Sequence, residues 1–265
     1  MLYVLASTLD GHKRMDSHTL LWLTTLIMTG GGLFILLTGK RRTPSEELHT
    51  VLHGIVPLIA ACSYFAMANG QGAITLGADA AAVGTGAGRT FYFARYIDWT
   101  FTTPLLLITL SMTAMHAGEK RAGAMAGIVL ADLMMILTAF FFGASEVAWI
   151  KWTWFIISCA AFLGVYYVVW VSNMQANALE RDDVQSNYRR NAAILSVLWL
   201  IYPVILAVAP DGLRWIGDTA SVLLIAILDV VSKVVYGVMT TVSHSKTTDR
   251  DLAETGRPTP LRKAA

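Results

Sequence analysis

Apolar positions in this chain gather into seven long runs separated by short polar stretches. The runs cover Leu20 to Thr38, Glu47 to Asn69, Thr90 to Met115, Ala122 to Gly143, Val147 to Val171, Ala192 to Ala209 and Trp215 to Ser243. An α-helix needs about 20 apolar residues to cross the hydrocarbon core of a bilayer. The pattern therefore predicts an all-α membrane protein, a seven-transmembrane-helix bundle. Pro44-Ser45-Glu46-Glu47 reads as a helix start: Pro suits the first turn, and acidic side chains favour the positive end of the helix dipole. The link from Gly70 to Arg89 is rich in Gly and Ala and long enough for an excursion such as a β-hairpin. The expected organisation is an outer segment over 1–16, the helical bundle over 17–243 and a polar, solvated tail over 244–265.

Charge fixes an orientation. Lys40, Arg41 and Arg42 follow the first run, Lys120 and Arg121 the third, and Arg181, Arg189 and Arg190 the fifth. The tail adds Lys246, Arg250, Arg257, Arg262 and Lys263, whereas the opposite loops hold chiefly Arg89, Lys151 and Arg214. The positive-inside rule then places the N-terminus outside and the C-terminus in the cytoplasm. Lys13 and Arg14 follow the apolar part of the N-terminal stretch, the wrong order for a secretory signal, so insertion is expected through the first membrane helix. Of the 265 residues, 55% are hydrophobic and 14% charged, with a mean hydropathy of +0.55. This composition suits a multi-pass protein surrounded by lipid. A net charge of +2 is too small to suggest nucleic acid. Cys62 and Cys159 lie inside apolar runs, where they read as small core residues.

Ionisable groups at membrane depth are costly, and by default they mark a functional site. The third run carries Arg95 and Asp98, the fourth Asp132, and the seventh Asp229 and Lys233. Asp229 and Lys233 are one helical turn apart and share a face. From these residues alone the pair reads equally well as a packing salt bridge or as an amine set to form a Schiff base with a carbonyl ligand. In the second case Asp98, Asp229 and Arg95 complete a charge cluster around the cation. Tyr96, Trp99, Trp199 and Tyr202 are placed to enclose a long apolar ligand, though an aromatic at helical spacing more often packs a core.

The motifs narrow the choice. The stretch Arg95-Tyr96-Ile97-Asp98-Trp99-Thr100-Phe101-Thr102-Thr103-Pro104-Leu105-Leu106-Leu107 resembles the third helix of microbial rhodopsins of the bacteriorhodopsin and proteorhodopsin kind. Leu228-Asp229-Val230-Val231-Ser232-Lys233 is similar to the retinal-binding part of their seventh helix, and Trp199-Leu200-Ile201-Tyr202-Pro203 to the aromatic floor in their sixth. Pro57 and Tyr64 match the second helix, Asp132 and Met135 the fourth. The resemblance implies all-trans retinal attached to Lys233. It makes Asp98 the primary counterion and proton acceptor, Asp229 the second counterion and Arg95 the outer gate. Thr102 is expected to hydrogen-bond Asp98. The pocket is expected to include Tyr96, Trp99, Thr103, Leu106, Asp132, Met135, Ala139, Ser158, Phe162, Trp199, Tyr202 and Pro203. Relatives form trimers or pentamers, so a homo-oligomer is expected, in the inner membrane of a bacterium. Leu106 stands where green-absorbing proteorhodopsins carry Leu and blue-absorbing ones Gln.

Departures from the family pattern bear on function. The cytoplasmic proton donor, a carboxylate in bacteriorhodopsin, falls on Thr109, about three turns or roughly 16 Å beyond Asp98. A threonine hydroxyl supplies no proton near neutral pH. The matching count on the second helix sets His53 beside Thr109, and histidine titrates in the range a donor needs. His53 thus reads either as a substitute donor or as a packing residue. Asp211 matches one member of the outer proton-release pair, while Ser221 replaces the other. Ser63 stands where proteorhodopsins place a histidine partner for the acceptor, so Asp98 is expected to be ionised at neutral pH. Phe155 replaces the glycine that opens a carotenoid window in some relatives. The expected function is a light-driven outward proton pump. The alternative is a photosensor acting through a transducer protein, which the Thr109 substitution favours. Asp98 argues against anion pumping, the absent Asn and Gln argue against sodium pumping, and the short tail against a fused enzyme.

Overall fold

The computed structural model describes residues 16–77, 88–118 and 120–255. The expected outer segment, apart from Asp16, and the last part of the tail lie outside the described residues. Helix α1 spans Ser17–Thr38, α2 Pro44–Ala68, α3 Phe93–Ala114 and α4 Ala122–Ala144. Helix α5 runs over Ala148–Tyr167 and continues through a π-helical turn at Val168–Ser172 into Asn173–Asn177. Helix α6 spans Asp182–Val208. Helix α7 comprises Asp218–Asp229, a π-helical segment at Val230–Val235, and Tyr236–Thr255. Consecutive helices pack on one another, and α7 closes the bundle against α1 and α2.

Local chemistry explains the helix starts. The Asp16 carboxylate accepts a hydrogen bond from the Thr19 N–H at 2.8 Å, capping α1, and this bond holds its carboxyl below the usual carboxylate range. Thr43 caps α2 through the Glu46 N–H, with Pro44 in the first turn as the sequence predicts. Six helices are long and apolar enough to span a membrane by length and composition. The remaining one, α3, carries Arg95, Asp98 and a run of threonines, so the helix richest in candidate chemistry is the least apolar. Leu26, Leu37, Leu130, Leu163 and Leu200 point outward, as expected of faces that meet lipid. The protein is a multi-pass seven-helix membrane bundle.

The excursion between the second and third runs contains a pair of strands, the hairpin that its length allows. Strands β1 (Ile74–Leu76) and β2 (Arg89–Phe91) pair antiparallel, with Ile74 opposite Phe91 and Leu76 opposite Arg89. Arg89 ties this hairpin to the bundle: it forms a buried ion pair with Asp211 in the α6–α7 loop and donates to the Gly143 carbonyl at 2.5 Å. Gly143 is also sterically required, because a Cβ there would lie 2.5 Å from the Phe91 ring and 2.7 Å from the Tyr96 hydroxyl. Replacing Gly143 by Val is expected to cost about 1–3 kcal/mol through overpacking. A lower thermal midpoint in detergent relative to the parent protein checks this.

Two boundaries differ most from the sequence expectation. Helix α6 begins at Asp182 rather than at Ala192, and α7 runs past Ser243 to Thr255 where a solvated tail was expected. Both extensions are polar. Their helical order comes from packing and ion pairs such as Arg181 with Asp183, Asp251 and Glu254, which hydropathy does not register.

Candidate functional site

Five buried ionisable residues occupy the middle of the bundle, and α3 and α7 bring three of them into contact. The Lys233 Nζ lies 2.5 Å from Asp98 Oδ2 and 2.8 Å from Asp229 Oδ1. All three side chains are buried. A lysine and two carboxylates at this depth are tolerable only as a mutually compensating set. Lys233 belongs to the π-helical segment of α7, which begins directly after Asp229. Such segments add a residue to one turn and often sit at functional positions.

The two carboxylates differ in their surroundings. Asp229 accepts from Tyr64 at 2.7 Å, from Tyr202 at 2.8 Å and from the Trp99 indole at 3.4 Å, besides Lys233. Four donors therefore hold it as an anion. Asp98 receives Lys233 on one oxygen, and its Oδ1 is buried without a hydrogen-bond partner. This leaves Asp98 as the member with an open lone pair. Thr102 was expected to hydrogen-bond Asp98, and its hydroxyl donates to the Asp98 backbone carbonyl at 2.9 Å, as a threonine in a helix readily turns back onto the preceding turn. Arg95 is buried with its Nε and Nη2 unpartnered, its guanidinium 5.1 Å from the Tyr92 ring centre. Among the described residues it makes no ion pair, so the expected charge cluster is a lysine–carboxylate triad with the guanidinium apart from it.

Lys233 opens into a predominantly apolar cavity between the helices. Of the twelve pocket positions expected from the sequence, Trp99, Thr103, Leu106, Met135, Ala139, Ser158, Phe162, Trp199, Tyr202 and Pro203 line it. Tyr96 and Asp132 do not. Tyr96 packs edge-on against Trp99 and Phe140, and Asp132 accepts from the Thr103 hydroxyl at 2.7 Å, so each supports a wall residue from behind. The lining adds Ile136, Phe142, Phe155, Cys159, Leu206 and Ser232. Phe142 was legible as the next member of the Met135–Ala139 helical face, and Leu206 as one turn beyond Tyr202. Tyr64, the donor to Asp229, was noted only as a match on the second helix, and no spacing rule pairs it with α7.

His53 is buried on α2, but its hydrogen-bond partner is Thr240 of α7, 3.1 Å away, rather than Thr109. The Thr109 hydroxyl donates to the Leu106 carbonyl at 2.9 Å, the same backbone capture as at Thr102. At the opposite end of the bundle Asp211 is paired with Arg89, yet burial pushes its carboxyl above the usual range despite Arg89, Arg95 and Lys151 nearby. Ser221 is buried on α7.

A cavity walled by aromatic and aliphatic side chains, closed at one end by a lysine with paired carboxylates, fits a long apolar molecule bearing a carbonyl. The unpartnered Asp98 oxygen is consistent with a site completed by a bound group. Comparison with known proteins agrees. A family profile described as "Bacteriorhodopsin-like protein" matches residues 15–247. The chain is 34% identical over 250 residues to a bacteriorhodopsin of Haloterrigena sp. (strain arg-4), covering 90% of this chain and 92% of that one. Among solved structures it superposes on the thermophilic rhodopsin from Rubrobacter xylanophilus with a TM-score of 0.79 and 30% identity, over 88% of this chain and 98% of that one. A light-driven proton pump from Leptosphaeria maculans aligns with a TM-score of 0.76 and 29% identity, over the same shares.

Proposed function

The chain belongs to the bacteriorhodopsin-like family of microbial rhodopsins, and on that premise we propose that it is a light-driven outward proton pump using all-trans retinal attached to Nζ of Lys233. The observation that carries the reading is the placement of that Nζ between Asp98 and Asp229 at the end of an apolar cavity. Retinal supplies, when bound, a chromophore whose isomerisation converts absorbed light into a change at the lysine nitrogen. The remaining chemistry belongs to the chain. Asp229, held by Tyr64, Tyr202 and Trp99, stays anionic and balances the cation. Asp98 takes the proton from Nζ, since its free Oδ1 can accommodate the change of charge by hydrogen-bonding anew. Arg95, buried on the hairpin side of Asp98 and with no ion pair among the described residues, is the outer gate. Asp211, with its raised carboxyl, is the candidate release group. The basic loops set the end opposite the hairpin in the cytoplasm, which makes the pump outward.

A second reading, a photosensor working through a transducer, is favoured by one observation: Thr109 holds its proton against a backbone carbonyl and cannot serve as donor. Illumination of unbuffered bacterial cells that express the protein with retinal separates the two. Acidification of the medium that a protonophore abolishes is expected. A coloured, light-responsive protein that leaves the pH unchanged would favour the sensor. Leu106 lines the cavity and is the residue expected to set the colour. Leu106→Gln is expected to move the visible absorption band of a green-absorbing parent toward the blue, and an unmoved band would remove Leu106 from that role.

A further inference from the structure

The end of the bundle opposite the hairpin holds a series of four imidazoles. His49 and His53 lie one turn apart on α2, 2% and 1% exposed, with ring centres 6.1 Å apart. The His49 ring stacks on His244 of α7 at 3.8 Å and 17°. His244 in turn meets His116, in the turn after α3, edge-on at 5.7 Å. His116 pairs with Asp251 at 2.8 Å, and both side chains reach solvent. The series thus runs from a water-accessible pair to His53, which packs edge-on against Tyr236 and bonds Thr240.

At the inner end the Thr240 hydroxyl lies 2.8 Å from the Tyr236 carbonyl and 3.1 Å from Nε2 of His53. Nδ1 of His53 is buried without a partner, and Nδ1 of His49 is unpartnered too. Two orphaned ring nitrogens are a cost that a purely structural cluster has no reason to keep. The other charged groups facing this series are Glu46 from α2, Lys120 from the loop after α3 and Asp251 from α7. Among the described residues no group of histidine, cysteine or carboxylate side chains is arranged to hold a metal ion.

We propose that His116, His244, His49 and His53 form a proton-uptake relay from the basic end of the bundle toward Lys233, replacing the carboxylate donor that Thr109 displaces. The inference rests on the proton-pump reading and deepens it. One proton enters at the His116–Asp251 pair from water, and one arrives at Nζ of Lys233. Each ring accepts on one nitrogen and releases from the other, so its charge is unchanged but its tautomer is inverted, and a flip of the ring or proton exchange with water resets it before the next proton. Stacked rings present their lone pairs in-plane, so transfer between His49 and His244 proceeds through in-plane partners such as the Ser45 hydroxyl, 3.2 Å from His244 Nε2, and through water. Thr240 stands two turns beyond Lys233, roughly 10 Å along the axis, so the last transfer also passes through water.

The test uses the pigment with retinal and the variants His49→Phe and His244→Phe, which keep a flat ring without ring nitrogens. His49→Gln is the second variant, and a retained visible band reports folding. After a flash, dark recovery is expected to be at least tenfold slower than in the parent protein near pH 8. It should then fall about tenfold per pH unit as free protons become limiting, and azide, a small permeant acid, should restore it. Infrared difference spectra of the parent protein with ring-¹⁵N histidine are expected to show imidazole bands changing on illumination. Recovery within twofold of the parent, slowing that neither follows pH nor responds to azide, or imidazole bands that do not move would each overturn the relay. Medium acidification by the parent protein is recorded in parallel. Its absence beside intact relay kinetics removes the pump and keeps the relay, whereas its presence beside unaltered variants removes the relay and keeps the pump.

Discussion

Lys233→Ala is expected to give a protein that never becomes coloured with retinal. The methyl side chain has no amine to condense with an aldehyde, and the truncation leaves Asp98 and Asp229 facing each other in a buried site that has lost its cation. Removing one partner of a buried charge set costs about 3–5 kcal/mol, so the variant is also expected to express poorly and unfold at lower temperature. Lys233→Arg separates the two effects. A guanidinium keeps the positive charge between the carboxylates but forms no such bond, so this variant is expected to regain much of the stability and none of the colour. Absorption spectra of membranes reconstituted with retinal, together with thermal unfolding of the two variants, check both statements. A coloured Arg variant would mean that the attachment is elsewhere and that the triad is a packing device.

Asp98→Asn is expected to keep the pigment and lose transport. The carboxamide is the same size and preserves the packing between α3 and α7, yet it cannot take a proton from Nζ. A positioned proton acceptor contributes roughly 10²–10⁴-fold to a rate, so light-driven acidification per pigment molecule should drop by roughly 100-fold or more. The visible band should shift as well, because one of the two negative charges beside the lysine nitrogen is gone. Asp229→Asn is expected to differ. Its four donors would face a group with one acceptor fewer, which leaves Tyr64 or Tyr202 unsatisfied and costs stability before it costs transport. Initial rates of pH change, normalised to pigment, compare the two. Equal loss of stability and transport in both variants would mean that the asymmetry between the carboxylates has no mechanistic role.

Much of the site was legible because charge inside an apolar run is conspicuous. Arg95, Asp98, Asp132, Asp229 and Lys233 stand out at membrane depth in a chain whose other charges sit between the runs or near their ends. The spacing of Asp229 and Lys233 placed them on one face, and the structure has them in contact. Contacts between distant elements were less legible. Tyr64 reaches Asp229, His53 reaches Thr240, and His49 stacks on His244, pairs decided by how α2 and α7 settle against each other rather than by any periodicity. Counting along α2 and α3 predicted His53 beside Thr109, but it had no means of knowing that the threonine would turn onto its own helix. The π-helical segment around Lys233 likewise has no sequence signature, since Val230, Val231, Val234 and Val235 would pack in an ordinary helix. Helix ends beyond the bilayer were the other gap. The extensions of α6 and α7 are polar, so a hydropathy pattern ends where the membrane ends and the helices do not.

The two open oxygens of the site also differ in meaning. Asp132 Oδ1 is buried and unpartnered, as Asp98 Oδ1 is, but Asp132 is bonded to Thr103 behind the cavity wall and does not touch Lys233. Among the described residues, Asp98 alone combines an unpartnered oxygen with direct contact to the amine. That combination directs the proton leaving Nζ of Lys233 to Asp98. Infrared difference spectroscopy of the illuminated pigment tests this most directly, by the carbonyl stretch that a carboxylate gains when it becomes a carboxylic acid. A new carboxylic-acid band is expected on illumination, one that shifts in protein labelled with ¹³C-aspartate and is missing in Asp98→Asn. A pigment that gains no such band, or one whose band survives in Asp98→Asn, would contradict transfer to Asp98.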